Sequence, residues 1–271
     1  MFLTQKWLYD AILYIYALSL LFYFSDFMDA NRRAKRIGTG LLIFVWILQT
    51  IILVSRLVTH FEATAISSFE YWLGFSWLLV TISLVISQFF KIEFLVFLVN
   101  IIGFSVLALN LYSRPGMDEQ FGVSQAMRDL LLVHISLVLC AYASLTIGSV
   151  FAGMYLFLHK QLKGKRWTPF TRRLPSLDTI ERFSDRAIII GVPLLALSLS
   201  VAVTVLLAEG RPRLMLDWKV LTSFATLIFY VNYIIQRAML RRPGTQLARL
   251  HLIAFVMLII NLLSSYLSTF H

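Results

Sequence analysis

The sequence predicts an all-α, polytopic membrane helix bundle with eight transmembrane helices and both the N and C termini outside. Three observations carry that expectation. The 271 residues are 59% hydrophobic and only 14% charged, with a mean hydropathy of +0.80, too little polar surface for a water-soluble domain of this length. The apolar residues fall in continuous runs rather than in alternation. Within lipid every backbone N–H and C=O must be paired internally, so continuous runs mean helices. Finally, the basic residues are distributed unevenly among the segments between the runs.

A span needs roughly 20 apolar residues. Runs of that kind occupy 7–27, 38–59, 70–88, 93–112, 130–158, 187–208, 216–236 and 248–268. The first has no charged leader and no small-residue cleavage site, and reads as a retained helix. The fifth is long enough to tilt or to project from the bilayer. Cytoplasmic loops are enriched in Lys and Arg. Placing the odd-numbered loops inside gives them 17 of the 24 basic residues. The formal charge of +10 is then a signature of topology and of contact with anionic lipid, not of nucleic acid. The whole chain, 1–271, reads as a single membrane domain of a multi-pass protein of the bacterial cytoplasmic membrane.

One inner segment is long. Residues 159–186 carry eight basic and three acidic residues, ending in LPSLDTIERFSDR. Ser176 followed by Leu-Asp-Thr predicts a helix start. A short amphipathic helix at the inner interface is expected there, with Leu177, Ile180 and Phe183 facing lipid. Cys140, the single cysteine, falls inside a span and reads as a small buried hydrophobe. Nucleotide-binding, P-loop and zinc-site fingerprints are all missing from the sequence. Asn100, Asn110, Asn232, Asn261 and Gln49 are expected to bond between helices.

The histidines are the chemically informative residues. His159 and His251 fall at inner ends of runs, among basic residues. His60, His134 and His271 lie about 22, 24 and 23 residues from the inner ends of their helices. A rise of about 1.5 Å per residue puts all three roughly 33–36 Å from the inner boundary. Interfacial imidazoles are ordinary, yet three at one depth in a chain with five suggest a site. Neutral imidazole is a common metal ligand, and haem iron takes axial histidine in an apolar, aromatic surround. Arg56, one turn inward of His60, faces either a ligand carboxylate such as a haem propionate or Asp10; both uses are open. Glu70 either orients an imidazole or caps its helix. Trp72, Trp77 and Trp218 serve as interface anchors or, for Trp77, as a wall of the site.

Several stretches resemble a known family. HISLVLCAYASLTIGSVFAGMYL, from His134, resembles the fifth-helix signature of the CcsA/CcmC group of cytochrome c assembly membrane proteins. LPSLDTIERFSDRAIIIGVPLLALSL, from Leu174, is similar to the segment that follows it. RLVTHFEATAISSFEYWLGFSW, from Arg56, resembles the outer-loop histidine and the Ser-Trp pair of that group. LIAFVMLIINLLSSYLSTFH resembles its last helix and terminal histidine. The resemblance implies haem b held on the outer face by His134 and His271 as axial metal ligands. His60 matches a further outer histidine, and no chemical step is implied for the protein itself.

The chain departs from the family at the tryptophan-rich outer loop that ends in Trp-Asp-Pro-Lys-Glu-Thr-Trp. Here the stretch is EGRPRLMLDWKVLTSF. Asp217 and Lys219 stay in register, Trp218 replaces the proline, and the helix's intramembrane histidine falls at Ile235. The surface for an acceptor apocytochrome is thereby reduced. Such a reduced member is similar to a branch associated with haem-biosynthesis genes in Gram-positive bacteria. That likeness implies a role around haem supply, with glutamyl-tRNA reductase or another haem-pathway protein as partner alongside haem and the lipid bilayer. The alternative it carries is a regulatory scaffold that restrains glutamyl-tRNA reductase through its cytoplasmic loops without needing haem.

Overall fold

The computed structural model describes residues 2–29, 31–59, 68–89, 93–112, 125–165, 171, 174–208, 210 and 212–264, the side chains at several helix ends excepted. Among them are eight α-helices: α1 Phe2–Asp29, α2 Arg32–Thr59, α3 Ser68–Phe89, α4 Glu93–Tyr112, α5 Gln125–Lys163, α6 Leu177–Ala208, α7 Trp218–Ala238 and α8 Gly244–Ser264. Each expected apolar run overlaps one of them, residues 265–268 of the last run lying outside the described residues. Seven contain a stretch long and apolar enough to cross a bilayer, and the qualifying part of α4, Phe94–Leu109, is shorter. The chain is a multi-pass helical membrane protein. It divides into two compact units, Met1–Phe121 and Gly122–His271.

In the first unit α1 shows how sequence period becomes packing. Ile12, Tyr16, Leu20 and Tyr23 recur at helical spacing and are buried, whereas Tyr14 is 77% exposed and Leu21 63%. One stripe meets the neighbouring helices and the other side is apolar outward, as lipid requires. Polar groups then fix the neighbours. Tyr16 donates to Asn100 Oδ1 at 2.8 Å, and Asn100 Nδ2 donates to Ser83 at 2.7 Å. Between α2 and α3 two indoles exchange partners: Trp46 donates to Thr81 and Trp77 to Thr50, each at 2.8 Å. Gln49 donates to Ser76 at 3.2 Å. Such bonds orient helices where lipid offers no hydrophobic drive for association.

The second unit is built around α5, which is 39 residues long and so extends roughly 58 Å. Its residues 145–152 are buried on every side, the mark of a helix surrounded by others. Against α6 the contact is made by small residues. Ser144 donates to the Ala187 carbonyl at 2.9 Å. A Cβ at Gly191 would come within 2.7 Å of Leu145, so only glycine permits this approach.

Three expectations are corrected here. The interfacial helix does not exist as a separate element. Ser176 does accept from the Thr179 N–H, at 3.3 Å, but the helix it starts runs unbroken through 32 residues to Ala208. Ile180 is fully buried, and Phe183 stacks on Phe151 with ring centroids 5.3 Å apart. Because α5 also reaches inward to Lys163, the first turns of α6 bury their apolar side on protein. Asn232 is exposed and, among the described residues, accepts from Gln236 on its own helix. Cys140 is exposed on α5, on the outward side of the helix.

Candidate functional site

His134 lies on α5 facing α6. Its Nδ1 is 2.9 Å from the Ser198 carbonyl oxygen and 2.9 Å from Ser198 Oγ. A carbonyl can only accept, so Nδ1 carries the proton. The lone pair is therefore on Nε2, the far side of a ring whose orientation is fixed. This is how proteins prepare an imidazole for a metal: the second nitrogen is tied to a carbonyl, setting tautomer and direction.

Tyr142 lies eight residues further along α5, about two helical turns or roughly 12 Å along the axis. Asn261 of α8 donates to Tyr142 OH at 2.7 Å. Asn261 Oδ1 accepts from Thr222 at 3.0 Å and from Ser223 at 3.1 Å, both on α7. Lys219 Nζ donates to the Asn261 backbone carbonyl at 2.8 Å. The N-terminus of α7 is capped by Asp217, which accepts from the Lys219 N–H at 2.8 Å. One layer of unit two thus joins α5, α7 and α8 a short distance inward of His134.

A second polar layer lies further along. His251 of α8 is fully buried. Its Nδ1 is 2.9 Å from Ser184 Oγ, which donates onward to the Gly148 carbonyl at 3.2 Å. Nε2 is buried without a partner at bonding distance among the described residues, though the Leu145 carbonyl also acts on the ring. Tyr230 and Tyr233 approach the imidazole edge-on, with centroids 5.8 and 5.7 Å away. A Cβ at Gly148 would lie 2.7 Å from His251 Cε1 and 2.9 Å from Ala187 Cβ. A ring so enclosed has no room for a macrocycle. Gly148 is 14 residues beyond His134 on α5, which separates the two imidazoles by roughly 21 Å. They do not share a ligand.

Beside His251, Tyr233 donates to Asp185 at 2.6 Å, and Arg237 bridges Glu181 at 2.5 Å and Asp185 at 2.6 Å. Glu181, Ser184 and Asp185 all come from the IERFSD stretch of α6, on the face turned to α7 and α8. Arg182 pairs instead with Asp178 on the outward face of α6.

Of the other residues expected at a site, Trp77 is tied to α2 through its indole N–H. Arg56 and Glu70 fall on α2 and α3, with side chains outside the described residues. His60 and His271 also lie outside them. The sequence reading missed the His251–Ser184–Gly148 chain. Its signals were Gly148 inside an apolar run and Ser184 within the charged stretch 177–186, and a glycine in an apolar run is shared by many tightly packed helices.

Residues 7–271 match the family described as cytochrome C assembly protein. The chain belongs to that family. Two relatives named Protein HemX match nearly end to end. The one from Brevibacillus brevis is 40% identical over 269 residues, covering 98% of this chain and 97% of its own. The one from Bacillus subtilis (strain 168) is 33% identical over 263 residues, covering 97% and 95%. An uncharacterized 28.8 kDa protein of Azospirillum brasilense is 33% identical over 127 residues, 46% of each chain. No solved structure matches. The likeness to the cytochrome c assembly family that the sequence motifs implied is thereby shown, and it extends from the first helix to the last residue.

Proposed function

We propose that this family member holds haem b at the outer side of the membrane, with His134 and His271 as axial ligands and no chemical step of its own. The observation that carries the reading is the Nδ1 of His134 bound to the Ser198 carbonyl, which directs the Nε2 lone pair away from α6. An iron already held by four porphyrin nitrogens needs only one or two protein ligands, and an imidazole with its Nδ1 tied to a carbonyl suits one such position. The Asn261–Tyr142 bond supports His271 as the partner. It sets α8 beside α5 two turns inward of His134, and the ten residues from Asn261 to His271 are ample to regain that level. Bound haem supplies a redox-active, strongly absorbing iron; the protein supplies orientation and an apolar surround.

Detergent-purified protein titrated with haemin tests this. The expected result is a shifted Soret band in the wild type that is lost in His134→Ala/His271→Ala. Unchanged uptake in the double variant would end the proposal.

A second reading has its own support. The exposed Lys160, Lys163, Lys165, Arg182 and Arg186 present a basic inner surface at the ends of α5 and α6. On this reading the protein is a scaffold that restrains glutamyl-tRNA reductase, and haem is dispensable. Neutralising Lys160, Lys163 and Lys165 separates the two. Loss of reductase control with the Soret shift intact favours the scaffold, once membrane orientation has been rechecked.

A further inference from the structure

We infer that the outward face of α7 is the interface of a homodimer within the membrane, in which the Asn232 amide bonds to the partner subunit's Asn232. The inference is independent of the haem reading. An outward-facing polar group in a span needs a partner, because lipid supplies none. Outward hydroxyls such as Ser105, Ser136, Ser200 and Thr204 solve this alone, each donating at 2.8–2.9 Å to the carbonyl four residues earlier. The Asn232 amide does not. Its Oδ1 accepts from Gln236 at 3.3 Å, and among the described residues its Nδ2 has no acceptor at bonding distance. Asn232 lies 14 residues from Trp218 and six from Ala238, roughly 21 and 9 Å from the two ends of α7. A side chain as short as asparagine does not reach the headgroups from that depth.

A second copy is the occupant this face suits. Loop charge gives every copy the same orientation, so a two-fold axis relating two copies runs along the membrane normal. A residue close to that axis then meets its own counterpart at the same depth. An amide carries both donors and an acceptor with two lone pairs, so Oδ1 receives Gln236 and the partner's amide together while Nδ2 donates across the axis. The surrounding surface has the matching period. Leu221, Phe224, Ile228, Val231 and Ile235 are exposed, at steps of three, four, three and four residues, the seam of two parallel helices in left-handed contact. Apolar seams gain little from association in lipid, and a polar pair supplies the specific attraction. Tyr230 and Tyr233 are buried on the side of α7 that meets His251, so dimerisation leaves that layer undisturbed.

The experiment is disulfide cross-linking of the full-length chain in phosphatidylcholine vesicles. Cys140 is exposed, so the background is Cys140→Ser, and single cysteines are introduced as Val231→Cys, Ile235→Cys and, on the outward side of α6, Ile189→Cys. Each is reconstituted over a range of lipid-to-protein ratios, oxidised briefly and read on a gel. Val231→Cys and Ile235→Cys should give a product of doubled mass, and Ile189→Cys should stay single. Adding Asn232→Leu to Val231→Cys should raise the protein density at half-dimerisation by about three- to thirtyfold, the worth of an interhelical amide pair. Leucine suits a lipid face, so that variant still folds. Asn232→Gln keeps donor and acceptor and should stay within about threefold of the parent. Doubled mass from neither α7 position overturns the dimer and leaves this face to lipid or to another protein. Equal cross-linking at Ile189→Cys overturns it as well, since chance collision would do that. An unchanged midpoint with Asn232→Leu overturns the role of the amide, and the inference with it.

Discussion

The two layers of the second unit use the same device for different ends. In each, α6 offers a serine position to an imidazole from another helix: Ser198 to His134 and Ser184 to His251. The outer ring is tied at one nitrogen and left half-buried. The inner ring is enclosed by two tyrosines, a glycine and the α5 backbone, and is wholly buried. A hydrogen bond to Nδ1 is thus not by itself the mark of a ligand. On the haem reading, a binding histidine differs from a structural one in the space around the other nitrogen.

That contrast breaks if both rings behave alike under substitution. The largest expected effect is on His134→Ala, which should weaken haem binding by about 100-fold or more as an axial ligand is lost, while thermal stability in detergent changes little. His251→Ala should do the reverse. Removing a buried ring that bridges α6 and α8 is expected to cost about 2–4 kcal/mol of stability, with haem affinity in the folded fraction within about threefold of wild type. A fall in haem affinity for His251→Ala as large as that for His134→Ala would erase the distinction.

Gly148→Ala probes the enclosure of the inner ring alone. The added methyl meets His251 and Ala187 at well under contact distance, and an overpacking penalty of about 1–3 kcal/mol is expected, read as a lower unfolding midpoint. Full stability would mean that the inner layer is looser than the geometry shows. The smallest effect belongs to Ser198→Ala. His134 is held by the Ser198 backbone carbonyl as well as by the hydroxyl, so haem affinity should fall by less than about threefold. A tenfold loss would shift the grip to the hydroxyl and change the tautomer argument with it.

Much of this architecture was legible in the sequence, because hydropathy reports depth. The eight apolar runs, the Ser176 start and the bonding roles of Asn100 and Asn261 all follow from which side chains tolerate lipid and which need partners. Hydropathy says far less about direction around a helix axis. Residues 177–186 carry Asp178, Glu181, Arg182, Asp185 and Arg186, so they look like a surface segment. Three turns of α6 accommodate those charges because Glu181 and Asp185 meet Arg237 on α7. The same limit explains Asn232 and Cys140, both at the right depth and both turned outward. At the site, His134 stood out as a polar residue near one end of an apolar run.

The two serine positions sit 14 residues apart on α6, and Pro193 lies between them. A proline there takes one rung out of the backbone ladder, the bond to the carbonyl four residues earlier, and helices bend most readily where a rung is missing. The rod that grips both rings is therefore softest midway between its grips. Flexing would be absorbed there before either hand opened, so strain applied at the Leu177 end of α6 reaches the His134 imidazole blunted by a built-in joint.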